Sequence, residues 1–221
     1  MKYGTVGSPE GIWLVQKPKG QSSFRSVAQL RRLTNIKKVG HTGTLDPLAT
    51  GLLVLLVGRE YTRQAQSLSK LDKVYELEIT LGQNSTTDDG EGQKQRVSDV
   101  KPSLKEVQSG INYLTGEITQ TPPIYSAIKV DGKRAYSLAR KGEVPELKSR
   151  PVTVYWWKSI NYSYPKITAR VKVSSGTYIR SLARSLGEIL QTGAHLSELK
   201  RTEVGEFSLV DAVVLEKLLK N

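Results

Sequence analysis

The chain contains no cysteine. Disulfides, thiolate nucleophiles, zinc–thiolate sites and iron–sulfur clusters are thereby excluded together. Histidine is almost as scarce, with only His41 and His195, too far apart in sequence to suggest a histidine-based metal site. Long apolar runs are missing as well. The longest, residues 52–57, falls far below the roughly 20 residues of a membrane-spanning helix, and the N-terminal MKYGTVGSPEG lacks the apolar stretch of a secretory signal. Acidic residues are in deficit, 21 Asp+Glu against 33 Lys+Arg, which leaves a net charge of +12. Such an excess favours a polyanion through phosphate neutralisation and counterion release. No basic amphipathic helix with a wide apolar face points to a membrane surface instead. The composition predicts a soluble, metal-free cytoplasmic protein that binds nucleic acid.

At 221 residues the chain can bury a substantial core. GIWLV at 11–15 reads as a strand ended by Lys-Pro-Lys-Gly. Ser22 or Ser23 then caps a helix with Phe24, Val27, Ala28, Leu30 and Leu33 on one face and arginines on the other. Residues 35–51, with three glycines and Pro47, form a loop before a buried strand at 52–57 and a helix at 59–70. Residues 73–81 alternate, Tyr75, Leu77, Ile79 and Leu81 on one face against Glu76, Glu78 and Thr80. The polar stretch 83–98 reads as a surface loop, and Ser103 as the cap of a short helix to Gly110.

Residues 121–150 look like an insertion with one helical stretch at 135–141. It is basic, carrying Lys129, Lys133, Arg134, Arg140, Lys141, Lys148 and Arg150. Strands at 152–160 and 166–174, an amphipathic helix at 179–190, a strand at 196–202 and a helix at 211–220 complete the chain. Strand pairs and helices without a regular βαβ rhythm predict an α+β fold.

Two places could carry chemistry. In GHTGTLDPLATG (residues 40–51) an aspartate, Asp46, sits between glycines and before a proline, with His41 five residues away. An Asp-Pro pair often does no more than begin a turn. In SSGTYIR (residues 174–180) a strand passes into a helix N-terminus, a place that accepts anions through its unpaired N–H groups. Arg180 in the first helical turn opposes the helix dipole, so it serves either a ligand or a salt bridge. Tyr75, taken alone, suits a core position.

GHTGTLDPLATG resembles the catalytic motif of the tRNA pseudouridine-55 synthases, the TruB family. The resemblance extends through KPKGQSS (17–23), KVYELEITLG (73–82), PPIYSAIKVDGKRAYSLARKG (122–142), SSGTYIRSLARSLG (174–187) and LKRTEVGEF (199–207). Six ordered blocks make it specific. It implies a mixed, mainly antiparallel sheet flanked by helices, in one catalytic domain over 1–221 with an inserted RNA-binding arm at 121–150. By resemblance, Asp46 is the essential aspartate, Tyr75 stacks on the target base and takes a ribose proton, and Arg180 pairs with the aspartate. Tyr178 and Leu199 match pocket walls, and His41 a histidine that holds the RNA with its nucleotide turned out. Lys17, Pro18 and Lys129 match the rim of the site. The implied reaction is isomerisation of uridine 55 in the T-arm stem-loop of tRNA, by a monomer, with no cofactor and no membrane. Gln16 departs slightly from the family pattern. Many relatives continue into a C-terminal PUA domain, so a short form is expected from a chain ending at Asn221. Two other activities would use the same RNA, a tRNA-folding chaperone and a glycosylase. The second usually needs two carboxylates, and no second acid stands beside Asp46.

Overall fold

The computed structural model describes residues 3–130, 132–139 and 141–219. The first half of the chain gives β1 (Gly11–Lys17), α1 (Ser23–Thr34), β2 (Val39–His41), β3 (Thr50–Val57), α2 (Arg59–Thr62), α3 (Ala65–Ser69), β4 (Lys73–Leu81), β5 (Gln83–Ser85), β6 (Lys94–Arg96) and α4 (Leu104–Tyr113). The second gives β7 (Gly116–Gln120), β8 (Lys129–Val130), β9 (Lys133–Arg134), α5 (Ala135–Ala139), β10 (Arg150–Ser163), β11 (Lys166–Val173), α6 (Ile179–Ile189), β12 (Ala194–Val204), β13 (Phe207–Ser208) and, after a 3-10 turn at Leu209–Asp211, α7 (Leu215–Leu218). The fold is α+β, its sheet mainly antiparallel and flanked by helices. The chain divides into two compact units, Met1–Glu76 with Leu199–Asn221, and Leu77–Glu198.

In the first unit β3 lies between β1 and the end of β12. β1 pairs antiparallel with β3 from Gly11–Val57 to Lys17–Gly51. β12 runs parallel to it at Lys200–Thr50 and Arg201–Gly51. A strand covered on both faces needs a continuous apolar run, and TGLLVLLV supplies one, buried from Gly51 to Val57. Ile12, Leu14, Leu52, Val54, Leu56, Leu68, Val204 and Phe207 form the core there.

Ser22 caps α1 by accepting from the Arg25 N–H at 3.2 Å. The buried face of α1 differs from the one its apolar residues predict. Ser23, Ser26, Val27 and Leu30 point inward, while Phe24 is 68% exposed. The close approach of residues 42–49 decides this. The Ser23 hydroxyl donates to Leu45 O at 2.9 Å and accepts from Leu45 N at 2.8 Å, where a ring would not fit. The expected loop at 35–51 contains β2, which pairs with β3 through His41–Leu55. The expected helix at 59–70 is two short helices, neither with a side-chain cap.

In the second unit the order is β12, β4, β11, β10, β7. Ile167, Ala169, Val171 and Val173 of β11 are buried and alternate with outward polar residues. α6 buries Ile179, Leu182, Ala183 and Leu186, but Ile189 at its end is 40% exposed. A Ser103–Glu106 capping box starts α4, which runs to Tyr113 rather than Gly110. Residues 83–98 are not a plain surface loop. β5 and β6 pair in a hairpin, and Asp89 between them is 3% exposed. Polar composition hides such burial because the buried groups are satisfied by cations and hydroxyls rather than by apolar neighbours. Within 121–150, β8 and β9 make a small hairpin and α5 ends at Ala139. Arg140 of the expected basic arm lies outside the described residues, as does Lys220 of the expected final helix. That helix is shortened to α7 after the 3-10 turn.

Candidate active site

The Asp46 loop is held at both ends by a buried arginine. Arg201, 2% exposed on β12, donates from Nε to Leu52 O at 2.8 Å and from Nη2 to Gly43 O at 3.1 Å. Gly51 makes the approach possible. Its φ is +98°, and a Cβ there would stand 2.2 Å from Arg201 O. The Asp46 carbonyl accepts from Ala49 N at 3.1 Å, closing a turn, while Gly20 N donates to Pro47 O at 2.8 Å. Asp46 itself is half-buried. The carboxylate therefore sits on a backbone fixed from three sides, which lowers the cost of orienting it.

Lys17, expected at a rim, is wholly buried. Its Nζ donates to Gln21 O at 2.6 Å, Pro18 O at 2.9 Å and Pro47 O at 3.4 Å, so it ties the KPKG turn to the Asp46 loop. Pro18 is exposed. His41 ends β2 in the same region, and its imidazole is held below the usual histidine range by burial first and the Arg201 charge second. The neutral ring can accept as well as donate a hydrogen bond. Tyr75 on β4 and Leu199 on β12 are both buried. Two residues before Tyr75, Lys73 donates to Ser69 O and Leu71 O, each at 2.6 Å. Burial and the Arg201 charge push its ammonium down to about 8, against a smaller opposing effect of Asp72.

The second unit contributes Tyr178, Arg180 and Lys129. At the start of α6, Gln120 uses both ends of its amide on Tyr178, donating to its carbonyl at 3.1 Å and accepting from its N–H at 2.8 Å. The Arg150 guanidinium lies 5.4 Å from the centre of the Tyr178 ring. Arg180 is 4% exposed, donating from Nη1 to Thr87 O at 3.1 Å and from Nη2 to Tyr125 O at 2.9 Å. Its Nη1 is 3.5 Å from Asp89 Oδ2. Asp89 in turn accepts from Glu91 N at 3.0 Å. Beside it Asp88 meets Arg184, yet burial outweighs the cations and raises the Asp88 carboxyl above the usual range. Lys129 is exposed on the β8–β9 hairpin.

Within the first unit, Arg201 clamps the Asp46 loop and acts on His41, while Lys17 ties the same loop to the KPKG turn. Within the second, Tyr178 and Arg180 open the same helix, with Lys129 apart on its hairpin. Asp89, Arg201 and Lys73 were not singled out by sequence. All three are charged side chains inside the protein, and a buried Arg201 cannot be told from the exposed Lys200 before it by composition. Among the described residues no group of three or more His, Asp or Glu side chains is placed to hold a metal ion, and no helix is long and apolar enough to cross a membrane.

Residues 31–179 match the N-terminal domain of the TruB family pseudouridylate synthases, and residues 180–221 a tRNA pseudouridylate synthase B C-terminal domain. The chain belongs to the TruB family of pseudouridine synthases. It is therefore an isomerase. It is 44% identical to a tRNA pseudouridine synthase B of Protochlamydia amoebophila, over 90% of this chain and 76% of that one. It is 46% identical to that of Thermobifida fusca, over 95% of this chain and 74% of that one. Among solved structures, a chain of a Cbf5–Nop10–Gar1 complex superposes with a TM-score of 0.74 at 29% identity, over 95% of this chain and 54% of its own length. The chain thus spans about three quarters of these curated relatives and about half of that structure's chain.

Proposed function

We propose that this enzyme converts uridine 55 in the T loop of tRNA to pseudouridine. The observation that carries the reading is Asp46 on a loop pinned by Arg201 and Lys17, in a chain that shares 44% and 46% identity with two proteins named tRNA pseudouridine synthase B. The reaction breaks the N1–C1′ bond, turns the uracil and forms a C5–C1′ bond. The C5 proton leaves to solvent and N1 gains one, so no redox change or hydrolysis occurs. A carboxylate attacks or electrostatically supports the electron-poor anomeric carbon, the role assigned to Asp46. Arg180 is the cationic member of the catalytic set, and Tyr75 stacks on the base and takes the proton at ribose carbon 2, which is returned to that carbon as the C5–C1′ bond forms. The target nucleotide must leave its stack to be reached, with His41 holding the RNA and Tyr178 and Leu199 walling the base. Pro18 and Lys129 meet the RNA at the rim, and residues 121–150 serve as a basic RNA-binding arm. Lys17 acts from within, through the Asp46 loop. A monomer suffices for this chemistry.

The test is single-nucleotide mapping of carbodiimide-resistant adducts in a T-arm stem-loop. Wild-type protein produces the adduct at position 55, while Asp46→Asn gives none and binds the RNA within a few fold of wild type. Product from Asp46→Asn at the wild-type rate refutes the role of Asp46. Release of free uracil by the wild type refutes isomerisation.

A further inference from the structure

Between Glu146 and Glu188 the chain has no acidic residue and eight basic ones. Five of these lie on β10 and β11. In an antiparallel ladder, residues directly opposite each other share a face. Trp156 is opposite Lys172, Lys158 opposite Arg170 and Ser163 opposite Lys166. The neighbours of Lys172 along β11, Val171 and Val173, are buried, so these pairs form the outer face. A register shift between Val154 and Trp156 inserts Tyr155 into the same surface, where it is 46% exposed. Lys158 Nζ lies 4.8 Å from the centre of the Trp156 ring, and Lys172 Nζ 5.4 Å from that of Tyr155. Glu78, 3.0 Å from Lys166, and Glu117 of the edge strand β7, opposite Thr153, border this face.

We propose that this β10–β11 face is a second RNA-contact surface, on which unpaired bases stack against Trp156 and Tyr155 while Lys158 and Lys172 take the flanking phosphates. Alternating cations and aromatic rings fit a single-stranded nucleic-acid segment, because each nucleotide offers one charge and one π-face. An anionic bilayer fits less well, since the rings on this face are topped by ammonium groups rather than left bare for insertion. None of Asp46, Tyr75 or Arg180 lies on these two strands. The proposal rests on the RNA-modifying function above and deepens it: the ligand is the body of the same RNA outside the T arm.

The test measures binding of full-length tRNA and of an isolated T-arm stem-loop across a salt series, with pseudouridine formation in the stem-loop recorded in parallel. Lys158→Gln with Lys172→Gln lowers the dependence of log affinity on log salt by about two units for full-length tRNA. Trp156→Ala weakens that complex between roughly fivefold and a hundredfold, the range for losing one stacked base. Product formation in the stem-loop stays at the wild-type rate in all variants. The lysine variant guards against a folding defect in the tryptophan variant, because its substitutions are on the surface. Wild-type affinity and salt slope for full-length tRNA in the lysine variant overturn the proposal. Loss of binding to phosphatidylserine vesicles with tRNA binding intact overturns it in favour of a membrane. Failure of the wild type to make pseudouridine in the stem-loop is a separate outcome. It refutes the proposed reaction and leaves the tRNA-binding readout standing.

Discussion

Replacing Asp89 by Asn removes one charge from inside the second unit and changes almost nothing else. The side chain is 3% exposed, and Asn can still accept from Glu91 N through its amide oxygen. What is lost is the carboxylate 3.5 Å from Arg180 Nη1. Arg180 keeps its bonds to Thr87 O and Tyr125 O, but its charge is 4% exposed and less compensated. Removing one partner of a buried ion pair costs about 3–5 kcal/mol. Because part of the guanidinium is satisfied by carbonyls, about 3 kcal/mol is the expected loss in unfolding free energy. Against a typical stability of about 5–15 kcal/mol the protein stays folded, so activity can be read in the same preparation. Pseudouridine formation should fall by more than tenfold as Arg180 loses its fixed position.

Asp88→Asn is the matched control. Burial raises the Asp88 carboxyl despite Arg184 and Arg180, so its charged form is disfavoured by folding. Above the ordinary carboxylate range that charge costs stability, and the neutral Asn should change the unfolding free energy by no more than about 1 kcal/mol in either direction. Urea unfolding of both variants at neutral pH checks the pair. An Asp89→Asn midpoint equal to wild type, or a larger loss in Asp88→Asn, refutes the assignment of Asp89 as a counter-charge that holds Arg180.

Lys73, pushed down to about 8 when folded, binds its proton more weakly than in the unfolded chain. Its contribution to stability therefore rises as pH increases from about 8 towards the ordinary lysine value near 10.4. Lys73→Met should lack that rise, and parallel stability–pH profiles over this window would refute it. Gly51→Ala places a Cβ 2.2 Å from Arg201 O at a φ of +98°. It should lower stability by at least about 2 kcal/mol and cut activity with it, measured by urea unfolding and turnover. Phe24→Ser, at a position 68% exposed, should shift stability by less than about 1 kcal/mol. A loss of several kcal/mol would restore Phe24 to the core.

The sequence by itself determined the strands of continuous or alternating apolar residues, the helix starts at Ser22 or Ser23 and at Ser103, and the positive charge that selects a polyanion. These are local or summed properties. A buried strand such as β3 must read TGLLVLLV whatever lies beside it. The six-block resemblance carried the family and proposed Asp46. Tertiary structure alone decided which side chains hold that aspartate in place. Arg201 is separated by 158 residues from the Gly43 carbonyl it clamps, and Arg180 by 91 from Asp89. A polar stretch such as 83–98 looks like a loop until a buried arginine arrives to neutralise its aspartate. The serine face of α1 follows the same logic, since only the approach of Leu45 makes a hydroxyl there fit better than Phe24. Apolar burial is written in periodicity, whereas the burial of charge depends on a partner that the chain supplies from far away.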